Sequence, residues 1–79
     1  EQREKESLIQ EQEGLPQQLT ALEREQQELE AALADPDLYS RSPEIFNEKA
    51  ARLPQVEEEQ LALLERSDAI EKRLKELQE

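Results

Sequence analysis

The 79 residues include 21 acidic and 10 basic side chains, for a net charge of −11, with one Gly, four Pro and no Cys, His, Met or Trp. That length allows one small domain. Without imidazole or thiol there is no histidine base, no thiolate nucleophile, no zinc site of the usual ligand types and no disulfide. The longest unbroken apolar run, Ala31-Ala32-Leu33-Ala34, is too short for a membrane span or a signal-peptide core. The chain does not begin with Met, so we expect a piece of a longer protein, not catalytic on its own. Ala, Glu, Lys, Leu and Arg supply 49 of the 79 residues, a composition of long helices and coiled coils. High charge with low hydropathy also fits a disordered chain, and periodicity is what separates the two.

In chain order, Leu8, Gln12, Leu15, Leu19, Leu22, Gln26, Leu29 and Leu33 recur at alternating spacings of four and three. That is one heptad seam, predicting a first helical arm over about 2–34. Pro16 falls inside it and should remove a backbone hydrogen bond at a cost of ~3 kcal/mol. The seam keeps its phase there, which predicts a kink, with Gly14–Pro16 the place for a full break if one occurs. The period then fails over 35–42, where Asp35, Pro36, Asp37, Ser40 and Ser42 form a turn-like tip. Asp35 precedes a proline, which closes the first helix. Ser42, Pro43 and Glu44 supply an N-cap, a first helical residue and a dipole-compatible acid.

A second arm is predicted over about 43–78. Its seam runs through Phe46, Lys49, Leu53, Val56, Gln60, Leu63, Ser67, Ile70, Leu74 and Leu77, with a kink expected at Pro54. The two seams match in reverse order at a nearly constant offset: Leu33 opposite Phe46, Gln26 opposite Leu53, Leu19 opposite Gln60, Leu8 opposite Ile70. The predicted fold is therefore all-α, an antiparallel two-helix coiled-coil hairpin. The spacings Glu1–Lys5, Glu48–Arg52, Asp68–Lys72 and Glu71–Lys75 suggest helix-stabilising ion pairs, each worth ~0.2–0.5 kcal/mol.

The tip segment Leu33-Ala34-Asp35-Pro36-Asp37-Leu38-Tyr39, followed by Pro43 and Phe46, resembles the C-terminal domain of Uup-type ABC-F ATPases. That hairpin carries a similar connection, and the upstream Leu15-Pro16 with Leu19 and Leu22 is also similar to the family. The resemblance spans essentially the whole chain, departing at Pro54, where the family usually has Ala or Leu. It implies a cytoplasmic protein with two ATP-binding cassettes and no transmembrane segments, acting on ribosomes. The C-terminal hairpin would then be an accessory that contacts DNA, ribosomal RNA or the ribosome. ATP would belong to the parent protein, because a phosphate-binding GxxxxGK[ST] loop cannot be built from a single Gly.

Two groups of residues are candidate contacts. Arg3, Lys5, Lys72, Arg73 and Lys75 would gather at the open base of the hairpin, where cations could neutralise phosphates. Their other reading is a self-paired surface, since Glu1, Asp68, Glu71 and Glu76 sit among them. At the tip, Tyr39 and Arg41 could stack on RNA or a protein, while Leu38 and Phe46 plug the closed end against Leu33. The runs Glu57-Glu58-Glu59 and Glu23 to Glu30 read as solvated faces, since adjacent helical positions diverge and cannot converge on one ion. Gln12, Gln26, Gln60 and Lys49 in the seam weaken it but help fix register. A charge of −11 also suits basic protein partners, and Ile9, Leu61 and Leu64 lie off the seam, where weak self-association is the alternative.

Overall fold

Apolar residues repeating every three and four positions can be buried only along one stripe of a helix, so each arm needs a long neighbour. The structure, a computed structural model describing residues 2–78, has that arrangement. Its described residues form α1 (Gln2–Leu33), α2 (Pro36–Arg41) and α3 (Pro43–Gln78), with no strand. At 1.5 Å per residue, α1 and α3 are about 48 and 54 Å long. The molecule measures 59 × 15 × 15 Å, so the two helices lie side by side.

Every predicted seam position on both helices is buried or half-buried. Val56 and Ile70 are fully enclosed, and Leu8 and Leu15 join Ile70 in a cluster backed by Leu63, Leu74 and Leu77. This cluster accounts for the behaviour of the prolines. The helices run unbroken through Pro16 and Pro54, so the full break considered at Gly14–Pro16 does not occur. Leu8, before the Gly14–Pro16 step, and Leu15, within it, are held in one cluster with Ile70, and their burial offsets the missing backbone bond. Gly14 keeps an ordinary negative φ.

The tip differs from the predicted turn because it contains a six-residue helix, α2. Asp35 takes an extended backbone (φ −74°, ψ 114°) as expected before proline, and its carboxylate accepts from the Asp37 N–H at 2.9 Å. It is therefore the N-cap of α2, with Pro36 as the first helical residue. Arg41, in the last turn, donates to the Asp35 carboxylate at 3.2 Å and to the Asp37 carbonyl at 3.4 Å. Acids at the start and a cation at the end both complement the helix dipole. So short a helix does not persist alone, and contacts with α3 hold it. Ser42 ends α2 by donating its N–H to Leu38 at 2.8 Å, and its carbonyl accepts the Phe46 N–H at 3.0 Å to start α3.

Candidate functional site

Residues that flank a heptad seam decide what surrounds it. Glu4, Glu11, Gln18 and Glu25 of α1 recur every seven residues along one side of the seam, the last three directly before Gln12, Leu19 and Gln26. The equivalent positions of α3 are Arg52, Glu59, Arg66 and Arg73. The structure joins these two rows into a ladder. Arg73 donates to both carboxylate oxygens of Glu4 at 2.6 and 2.9 Å. Arg66 holds Glu11 in the same two-pronged way at 2.6 and 2.8 Å. Arg52 holds Glu25 at 2.7 and 3.0 Å. The fork of a guanidinium matches a carboxylate in this geometry. The hydrogen bonds from these arginines hold the carboxyls of Glu4, Glu11 and Glu25 below the usual carboxylate range. They also push the arginines further above theirs.

The ladder has a missing rung. Glu59 faces Gln18 instead of a cation and turns along its own helix to Arg52 at 2.8 Å. The gap opens as a shallow groove lined by Ala21, Leu22, Ala62 and Leu63 between Gln18 and Glu59.

The other flank is built differently. The positions just after the seam are Ile9, Pro16, Glu23 and Glu30 on α1, and Ala50, Glu57, Leu64 and Glu71 on α3. Among the described residues no ion pair crosses this flank. Ile9 and Leu64 are exposed, Leu64 to 51%, and Leu61 beside it to 57%. Pro16, Leu19, Leu63 and Leu64 line a groove here, with Glu71 also on its wall. The off-seam apolar surface expected from Ile9, Leu61 and Leu64 is thus open to solvent.

Expectations about individual charges fare unevenly. None of the i to i+4 pairs Glu48–Arg52, Asp68–Lys72 and Glu71–Lys75 forms; Glu1–Lys5 lies outside the described residues. Arg52 is drawn across to Glu25 and along to Glu59 instead, because a two-pronged partner on the neighbouring helix satisfies more of its donors. Of the five basic residues expected at the open base, Arg73 is committed to Glu4 and Glu76. Arg3, Lys5, Lys72 and Lys75 make no ion pair with another described residue, and the Glu4–Arg73 contact brings the two terminal segments that carry them to the same end. Glu1, expected among them, lies outside the described residues.

At the tip, Arg41 is folded back onto Asp35, so it is less available than its sequence position suggested. Tyr39 stays 57% exposed, while its ring meets Phe46 edge-on at 5.2 Å between centroids. Leu38 and Phe46 are half-buried, as a closing plug requires. In the seam, Gln60 donates to Gln26 at 2.8 Å, a side-chain contact added to the expected facing of Gln26 with Leu53 and Leu19 with Gln60. The two long amides reach diagonally across one heptad because each needs a polar partner where water is scarce. The Arg–Glu ladder is not among the pairs that spacing within one helix predicts. Its signal was present as two rows of charge repeating every seven residues beside the seams.

Among the described residues, no helix is long and apolar enough to cross a membrane. No curated protein and no solved structure matches the chain. Residues 1–72 match the family described as ABC transporter C-terminal domain, and with that match over nearly its whole length the chain belongs to this family of accessory domains of ABC proteins.

Proposed function

We propose that this domain is the C-terminal accessory hairpin of an ABC-F ATPase, an antiparallel two-helix coiled coil that contacts ribosomal RNA or DNA in the cytoplasm. The antiparallel direction is supported by the ladder, in which residue numbers rise along α1 as they fall along α3. It is supported too by the nine residues between α1 and α3, which reach at most about 32 Å even fully extended, too short to return a parallel helix to its start. The domain itself has no chemistry to perform. ATP is bound and hydrolysed by the cassettes of the parent protein, and the hairpin extends their reach.

The observation that carries nucleic-acid contact is the fate of the cations. Arg52, Arg66 and Arg73 are consumed internally, whereas Arg3, Lys5, Lys72 and Lys75 at the open end have no described acidic partner. Local cations of this kind contact phosphates even where the net charge is unfavourable, and such contact weakens steeply with salt. Tyr39 at the far end adds an exposed ring of the kind that stacks on unpaired bases.

Amide NMR of the 79-residue chain, titrated at low salt with short RNA and DNA duplexes, tests this reading. Shifts at Arg3, Lys5, Lys72 and Lys75, or at Tyr39, that reverse with added salt are expected. An unmoved spectrum rejects nucleic-acid contact and favours the second reading, an acidic structural or protein-binding hairpin. The specific observation behind that second reading is that half the molecule's arginines already neutralise its own glutamates.

A further inference from the structure

The flank without ion pairs has features that the accessory role at the open end does not use. Its apolar floor is Ile9, Pro16, Leu61 and Leu64, all exposed. Its rim is acidic throughout: Glu13 and Glu23 on α1, Glu57, Asp68 and Glu71 on α3, all of them exposed. Among the described residues at the positions after the seam and their outer neighbours, the sole cation is Lys75, near the end of α3. The opposite flank sets three arginines against its glutamates.

The prolines add a second kind of acceptor. Both internal prolines fall on the open flank, Pro16 just after a seam residue and Pro54 four residues beyond Ala50. Proline has no N–H, so the carbonyls of Gln12 and Ala50 lose their usual helical donors. Gln12 borders the groove, and Ala50 is exposed on the same flank. This surface therefore offers apolar area, carboxylates and two backbone acceptors, with almost no donors. A complementary partner brings apolar anchors surrounded by cationic donors.

We propose that the open flank docks a basic amphipathic helix from a protein partner. Its apolar residues, spaced three and four apart, sit on Pro16, Leu61 and Leu64, as helices do in grooves elsewhere. Its Lys and Arg side chains meet the acidic rim and donate to the Gln12 and Ala50 carbonyls. A second copy of this chain is the wrong occupant, because it would bring another −11 charge against the same carboxylates. The surface is separate from the open end, so neither proposal depends on the other.

The probe is a synthetic helical peptide of about 20 residues with a Leu stripe flanked by Lys and Arg, titrated into the 79-residue chain and read by calorimetry and amide NMR. Shifts centred on residues next to Ile9, Pro16, Leu61 and Leu64 are expected. Leu64→Asp, which removes an anchor yet adds negative charge, and the pair Glu57→Lys with Glu71→Lys should each weaken binding at least about tenfold. The pair Glu28→Lys with Glu76→Lys changes net charge equally on the other flank and should leave affinity within about threefold. Circular dichroism confirms that each variant is still helical, and the exposed position of Leu64 favours that. Equal losses from both lysine pairs would mean general charge attraction and overturn the proposal, as would shifts spread over both flanks or no binding. Sedimentation showing a dimer that resists the peptide would overturn it in favour of a second copy.

Discussion

The two flanks of the seam share the same pair of helices, the same heptads and nearly the same number of acids, yet they have opposite characters. On one, glutamates of α1 meet arginines of α3, and three two-pronged pairs clamp the helices together. On the other, glutamates face glutamates or apolar residues and nothing crosses. The difference teaches that burial of the seam holds the helices, while the flanking residues decide which side is closed. A symmetric clamp would stabilise the pair further and leave no surface for anything else. Here one side is fastened and the other kept available.

The largest expected effect tests what the flanks have in common. Ile70→Ala empties a fully enclosed position in the shared seam and should cost about 2–4 kcal/mol, measured by urea unfolding. A loss much smaller than this would mean that the clamps, not the seam, carry stability. Next comes Pro16→Ala on the open flank, which restores the N–H to Gln12 and should stabilise by up to about 3 kcal/mol. If the open flank docks a basic helix, the same change removes one acceptor and weakens that binding. A stability gain with unaltered peptide affinity would free the proline from any part in docking.

On the clamped side, Gly14→Ala should stabilise by about 0.5–1 kcal/mol. The added Cβ meets only the Gln18 side-chain amide at 3.7 Å, an ordinary contact. A loss of stability would mean that this stretch of α1 needs glycine for some backbone adjustment. The sharpest direct comparison sets Arg66→Ala against Leu64→Ser, two residues of α3 on opposite flanks of the seam. The first removes a clamp and should lower Tm; the second should stay within about 0.5 kcal/mol of the parent. Reversed outcomes would erase the distinction between the flanks.

The smallest effect is a dependence on pH. Arginine bonds hold the carboxyls of Glu4, Glu11 and Glu25 below the ordinary range. Groups with depressed folded values contribute stability that is complete above their unfolded value of about 4.3 and lost as pH falls through the folded one. The parent should therefore exceed the variant E4Q/E11Q/E25Q in Tm at pH 7, with the two curves converging below about pH 4. High salt should also narrow the gap, because these pairs are exposed. A gap that did not narrow at all as the pH was lowered from 7 into the acid range would show that the glutamines perturb something other than charge.

Much of this architecture is legible in the residues themselves. The seam from Leu8 to Leu33, its counterpart from Phe46 to Leu77, and the end of the first helix at Asp35 all follow from spacing and from what proline forbids. The exposure of Ile9, Leu61 and Leu64 follows as well, since a stripe that buries the seam must leave other positions outside. Those features are periodic or local, and a linear sequence records both. The helical turn at Pro36–Arg41 was not legible, because six residues are too few to show a period and their stability comes from packing on α3.

The partners of individual charges were not legible either. Arg52 had Glu48 within reach on its own helix but binds Glu25 and Glu59, and Gln60 reaches Gln26 for a polar partner. Spacing fixes which side of a helix a residue occupies. The choice among several partners on that side depends on distances between helices and on how many donors each geometry satisfies, and only the folded molecule sets those.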